Sequence, residues 1–161
     1  MSEGTNDAQV VLEGGCQCGE VRYRARAKSH DAYYCHCTMC QRAVGNVFAA
    51  FVNVKKKDVE WLTAPPKRYA ASKIAERGFC GACGTPLTFE YHESENLDLT
   101  VGSLDAPGAM KPVAHFAIES RLASFHREDG LPGKRLDEVK HIAEKWKKAY
   151  GDDVVPGPRK S

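Results

Sequence analysis

The sequence lacks any apolar run close to the roughly 18 residues that a membrane-spanning helix requires. Its first ten residues, MSEGTNDAQV, are polar and acidic, and so lack the basic and then apolar pattern of a secretory signal. No sign of charge dominates, because 23 basic and 21 acidic residues leave a formal net charge of +2 over 161 residues. We therefore expect a cytoplasmic protein without a membrane partner, and the low charge does not favour a nucleic-acid partner.

Cysteine, in contrast, is present in an odd number, so the seven thiols cannot all pair within the chain. A reducing compartment also disfavours a disulfide framework. The thiols form three clusters, GGCQCGE, CHCTMC and FCGACGTPL, with spacings of two and three residues. Seven inert buried cysteines explain such spacings poorly, and no thioredoxin-like alternation of strands and helices supports a redox Cys-x-x-Cys. Metal-bound thiolates are the leading interpretation.

Short β-prone runs separated by polar, Gly-rich or Pro-rich turns fill most of the chain and predict a mainly β fold. TPLTFEY and LDLTVGSL, for example, predict a hairpin across HESEN. The tail differs, because apolar residues recur at helical spacing from Gly133 and Gly151 follows as a stop signal. We divide the chain into a disordered lead-in (1–8), a zinc-binding domain (9–130), and a C-terminal helix and tail (131–161).

The motif around Cys80 and Cys83 is typical of half of a tetrahedral zinc site, because Cys-x-x-Cys-Gly turns both sulfurs toward one point. Two more thiolates must complete such a site. Their spacing allows either Cys16 with Cys18 or Cys37 with Cys40 as the partners. The pattern of residues does not choose between these alternatives.

Three stretches taken in order resemble the glutathione-dependent formaldehyde-activating enzyme family, which also includes centromere protein V. They are GGCQCGEVRY, CHCTMCQRAVGNVFAAFV and RGFCGACGTPLTF. The resemblance implies a β-tent zinc fold of packed antiparallel sheets, to which this chain adds a C-terminal α-helix. It also implies two zinc ions per chain. The structural zinc would be held by Cys16, Cys18, Cys80 and Cys83, and the catalytic zinc by Cys35, Cys37 and Cys40.

A zinc ion with three protein ligands keeps a position open for water or substrate. The family resemblance therefore implies a carbon–sulfur lyase, similar to S-(hydroxymethyl)glutathione synthase, that joins glutathione to formaldehyde. Arg42, two residues beyond Cys40, is a candidate to supply positive charge near the substrate. We expect the ring of His36 to point away from the metal, and we interpret His115 as a core or surface histidine before a fourth ligand.

Two other interpretations stay open at the level of sequence. Centromere protein V shares the motifs, so the chain could be a non-catalytic zinc module that binds protein or nucleic acid. Alternatively, the enzyme class could be right and the substrate could be another small thiol or another carbonyl compound.

Overall fold

The computed structural model describes residues 9–151. The predicted lead-in at 1–8 and the end of the tail at 152–161 lie outside the described residues. The described part of the chain contains eleven strands and two α-helices. The strands are β1 (Val10–Gly15), β2 (Arg22–Ala27), β3 (Asp31–Cys35), β4 (Ala49–Lys55), β5 (Val59–Trp61), β6 (Lys67–Ala70), β7 (Ala75–Phe79), β8 (Pro86–Tyr91), β9 (Asn96–Thr100), β10 (Lys111–Phe116) and β11 (Gly133–Lys134). The helices are α1 (Thr38–Val44) and α2 (Lys140–Tyr150).

The strands form two sheets. The small sheet has the order β1-β2-β5, and the large sheet has the order β11-β10-β3-β4-β9-β8-β7-β6. The predicted mainly β fold with a C-terminal helix is confirmed, and β8 and β9 form the predicted hairpin. Neighbouring strands are antiparallel except at β10, which runs parallel to both β3 and β11. Within residues 9–151, neither helix has the length and apolar character needed to cross a bilayer.

Alternation along β2 explains how the small sheet covers the large one. Tyr23 and Ala25 are fully buried, whereas Arg22 and Arg24 point outward and pair with acidic side chains. The buried face packs on apolar residues of the central strands of the large sheet, such as Leu99. This apolar core therefore lies between the two sheets, and turns that contain cysteines lie at the ends of their strands.

The C-terminal helix begins at Lys140, later than the apolar spacing from Gly133 suggested. Gly133 instead joins the large sheet beside His115, and a Cβ at Gly133 would lie 2.8 Å from Cγ2 of Ile118. A short 3-10 turn over Leu136–Glu138 then leads into α2. The helix ends at Tyr150, and Gly151, with a φ of 91°, follows as the predicted stop.

Candidate metal centres and the adjoining cavity

Four of the cysteines meet where the two sheets approach each other at one end. Cys16 and Cys18 lie in the turn between β1 and β2, and Cys80 and Cys83 lie in the turn between β7 and β8. Their four sulfur atoms lie within 4.8 Å of one another. The Sγ atoms of Cys16 and Cys18 are 3.5 Å apart, and those of Cys18 and Cys80 are 3.7 Å apart. Tetrahedral zinc with Zn–S bonds of about 2.3 Å requires sulfur separations of roughly 3.8 Å, so the set fits a closed zinc site.

Backbone and hydroxyl donors surround these sulfurs. The Val21 N–H donates to Cys16 Sγ at 3.2 Å, and the Cys83 N–H donates to Cys80 Sγ at 3.5 Å. The Thr85 hydroxyl, 3.1 Å from Cys83 Sγ, lowers the pKa of Cys83 to about 5. Gly84 has a φ of 77°, a left-handed conformation that lets the turn fold back on Cys80. The pKa of Cys16 is lowered as well, whereas the pKa values of Cys18 and Cys80 are raised. The turns thus favour thiolate, the form that metals bind, at two of the four sulfurs.

The other three cysteines lie where a strand changes into a helix. Cys35 is the last residue of β3 and is paired on both sides, with Ala49 of β4 and Phe116 of β10. Cys37 is the N-cap of α1, and Cys40 lies in the first turn of that helix. Their three sulfurs lie within 4.8 Å of one another, and all three residues are buried. Within residues 9–151, no histidine, cysteine or carboxylate joins this set as a fourth possible ligand.

The electrostatics of this trio favour a cation between the sulfurs. Hydrogen bonds from Cys35 and Cys37, helped by the charge of Arg77, hold the pKa of Cys40 well below its ordinary value despite burial. The bonds to Cys37 and Cys40, together with burial, raise the pKa of Cys35 well above its ordinary value. Ionisation of one cysteine in the trio therefore makes ionisation of its neighbours less favourable. Three thiolates at this distance need a bound cation, and soft sulfur donors suit zinc.

Arg77 is a site residue that the sequence did not reveal. The Arg77 Nη2 atom donates to Cys40 Sγ at 3.1 Å, and the guanidinium lies 4.7 Å from the centre of the Phe89 ring. The side chain is only 5% exposed on β7. Arg42, the predicted source of positive charge, is exposed on α1 and lines a separate groove with Asn46. A contact between Arg42 and a substrate stays a prediction, and the cation beside Cys40 is Arg77.

The two histidines near the trio bind each other instead of pointing at the sulfurs. His36 Nε2 lies 2.8 Å from His115 Nδ1, and His115 Nε2 lies 3.0 Å from Asp129 Oδ2. Both ring nitrogens of His115 are therefore engaged. Because His36 lies between Cys35 and Cys37, this buried chain fixes the backbone from which two of the sulfurs project.

A cavity of about 360 Å³ opens beside the trio, and Cys35, Cys37 and Cys40 form part of its wall. Arg77 and Asp98 also line the cavity, and its other walls are largely aromatic and aliphatic. Burial raises the pKa of Asp98 to about 6, and a hydrogen bond from Asn53 Nδ2 at 2.8 Å opposes that rise. Nothing in the sequence pattern singled out Asp98, because the LDLTV run predicts an ordinary strand.

Comparison with known proteins agrees with this arrangement. The profile of the glutathione-dependent formaldehyde-activating enzyme family matches residues 11–120, which include all seven cysteines. The chain belongs to this family. The formaldehyde-activating enzyme profile ends before Arg121, so the segment that leads into α2 and the helix itself lie beyond the matched region.

Two individual relatives support the family assignment and the fold. A Schizosaccharomyces pombe protein described as an uncharacterized lyase is 36% identical over 84 residues, which span 52% of this chain and 61% of that protein. A crystal structure of a Rhodobacter sphaeroides protein covers 75% of this chain and 98% of its own, with a TM-score of 0.50 and 19% identity. At that identity the likeness concerns the fold alone.

The two cysteine sets predict different consequences of losing a sulfur. If each set holds a metal ion, Cys83→Ser should release one ion and lower the melting temperature by about 10 °C, because the four-sulfur set ties the two sheets together. Cys37→Ser should then release the ion of the trio with a much smaller change in melting temperature. Metal content by elemental analysis and thermal unfolding followed by circular dichroism check both results. Equal destabilisation by the two substitutions would contradict this division of roles.

The raised pKa of Asp98 predicts a pH-dependent difference between the wild type and Asp98→Asn. The folded state holds the Asp98 proton more tightly than the unfolded state does. This contribution to stability is therefore complete below pH about 4 and is lost as pH rises through about 6. Between about pH 5 and about pH 8, the wild type should lose about 1.4 kcal/mol relative to the amide variant. Urea unfolding of both proteins measures the difference, and a difference that does not change with pH would contradict the burial of this carboxyl.

Proposed function

We propose that the protein is a zinc-dependent carbon–sulfur lyase that acts in the cytoplasm. In this proposal it condenses glutathione, or a similar thiol, with formaldehyde or a related carbonyl compound to an S-hydroxymethyl adduct. Membership of the formaldehyde-activating enzyme family supports the reaction class, as does the description of the S. pombe relative as a lyase.

The observation that carries the proposal is an incomplete ligand set inside a cavity. Cys35, Cys37 and Cys40 converge without a fourth donor from the described residues, and all three face a chamber large enough for a small organic molecule. A structural site has no need of such a chamber. The four-sulfur set has no missing donor, so we assign it the structural zinc.

The trio would hold the second zinc through its three sulfurs. When bound there, zinc supplies an open coordination position and a charge that lowers the pKa of an incoming thiol. The side chains around the trio keep that position enclosed. Phe51 and Phe89 pack beside the sulfurs, and the Arg77 guanidinium offsets part of the negative charge that three thiolates bring.

The reaction that we propose needs no oxidant and no other co-reactant. The thiol sulfur forms a bond to the carbonyl carbon, and the π electrons of the C=O bond move to oxygen, which takes up a proton. The thiol proton is released, so the atoms and charges balance. In the reverse direction the carbon–sulfur bond breaks and the hydroxyl proton leaves.

Asp98 is the candidate to exchange that proton. Its carboxyl lines the same chamber, and burial raises its pKa to about 6, so it can accept or donate a proton near neutral pH. Arg77 donates to Cys40 in the same cavity, and its positive charge stabilises negative charge on the sulfurs. The presence of both side chains in the lining of one cavity supports these roles.

The proposal predicts that Cys37→Ser slows adduct exchange by at least about 100-fold, because the metal that activates the thiol is lost. Exchange NMR at equilibrium, with ¹³C-labelled formaldehyde and glutathione, measures the rate above the uncatalysed background. Lys148→Ala is the matched control, because Lys148 is exposed on α2 and should leave the rate unchanged.

Two results would contradict the proposal. One is a wild type loaded with two zinc ions that does not exceed the uncatalysed rate with any thiol tested. The other is a Cys37→Ser variant that keeps the full rate. Salt-sensitive binding of nucleic acid by an inactive wild type would instead favour the non-catalytic module.

A further inference from the structure

The C-terminal segment forms one wall of the chamber that holds the trio. Leu136, Val139, Ile142 and Trp146 all line this cavity. Leu136 and Ile142 pack in the same apolar cluster as the three cysteines. None of these residues belongs to the segment that matches the family, which ends at residue 120. The chamber is therefore closed by a part of the chain that the family profile does not include.

This wall is fixed to the sheet by specific contacts. The Leu136 N–H donates to Glu119 Oε1 at 3.1 Å, and the Lys73 N–H donates to the Tyr150 hydroxyl oxygen at 2.6 Å. Lys145 lies 4.8 Å from the centre of the Tyr91 ring. Both ends of the segment are thus attached, so the position of α2 beside the chamber is fixed.

The wall that faces α2 is mainly apolar, although the polar side chains of Asn53, Ser72, Ser94 and Asn96 also line the cavity. Tyr33, Phe51, Phe89 and Phe116 line the chamber from the large sheet. Besides the cysteines and tyrosines, the described lining of the chamber contains three ionisable side chains, Arg77, Asp98 and His141.

The charged groups in the chamber already have partners. Arg77 donates to Cys40, and Asp98 accepts from Asn53. His141 lies on the exposed side of α2. Within the described lining, no lysine or second arginine faces the space where a substrate carboxylate would lie. Burying an unpaired carboxylate between aromatic walls is unfavourable, whereas burying an apolar group there is favourable.

We propose that the wall built by Leu136, Val139, Ile142 and Trp146 makes the chamber select a substrate with an uncharged apolar group next to the reacting sulfur or carbon. The inference rests on the proposed function, because it assumes that a thiol or carbonyl compound reacts at the trio. The apolar group is an aliphatic or aromatic substituent, carried either by the thiol or by the carbonyl compound.

Matched pairs of probes test the inference. For the thiol, phenylmethanethiol is compared with its para-carboxylate analogue. For the carbonyl compound, benzaldehyde is compared with 4-carboxybenzaldehyde in the presence of glutathione. The chain is loaded with cobalt(II), whose bonds to the protein cysteines give a sulfur-to-cobalt absorption band. Binding of a thiol appears as an increase in that band, and calorimetry measures the carbonyl arm. In at least one arm, the uncharged probe should bind at least about 10-fold more tightly than the carboxylate.

Variants of the wall identify the cause of that preference. Ile142→Ala should reduce the preference several-fold, because it removes apolar surface beside the trio. Val139→Lys changes a half-buried wall position and should bring the ratio of affinities close to one or reverse it, because it supplies a cation for the carboxylate. Glu144→Gln is the control on the exposed side of the same helix and should keep the wild-type ratio.

The possible failures are distinguishable. A carboxylate probe that binds as well as its uncharged partner in both arms would overturn the inference and leave the proposed function intact. A ratio that Ile142→Ala and Val139→Lys leave unchanged in folded protein would do the same. If no probe increases the absorption band and none gives calorimetric heat, both the inference and the proposed function are overturned.

Discussion

The change from strand to helix at residues 35–40 is the constraint on which the candidate site depends. Cys35 cannot move, because β3 is hydrogen-bonded to β4 on one side and to β10 on the other. The His36 N–H continues the pairing by donating to the Phe116 carbonyl at 2.9 Å, and α1 starts two residues later. The chain therefore turns over two residues, His36 and Cys37, and sulfurs from the strand end, the N-cap and the first helical turn converge.

The convergence of three thiolates concentrates negative charge, and several neighbouring groups stabilise that charge. A buried arginine donates to Cys40, the backbone N–H of Cys40 in the first helical turn donates to Cys37, and aromatic rings pack beside the sulfurs. The four-sulfur set also concentrates negative charge, but it lies near the protein surface. There Cys18 and Cys83 are exposed, and backbone N–H groups of the turns donate to the sulfurs. The two sets thus differ in setting as well as in number: one joins two sheets, and the other faces a chamber.

The sequence carried more information about the metal ligands than about the chamber. Spacing identified the cysteine clusters and strand alternation identified the mainly β fold, because both are local properties of the chain. The partner of the Cys80 turn could not be chosen from spacing, since it depends on how two sheets pack. Arg77 and Asp98 were not found for a similar reason, because their burial comes from strands distant in sequence. The late start of α2 was also missed, because pairing of Gly133 with β10 overrides the helical spacing that precedes Lys140.

A metal ion bound by the trio should have one coordination position that the protein does not fill. X-ray absorption at the zinc edge, on chain loaded with two zinc ions, measures the ligands directly. We expect an average of about 3.5 sulfur ligands per zinc and one lighter donor, which belongs to the zinc held by the trio. The average should rise to about 4 sulfurs when a small thiol is added. A count of four sulfurs before the thiol is added, or a histidine signal that the thiol does not change, would contradict it.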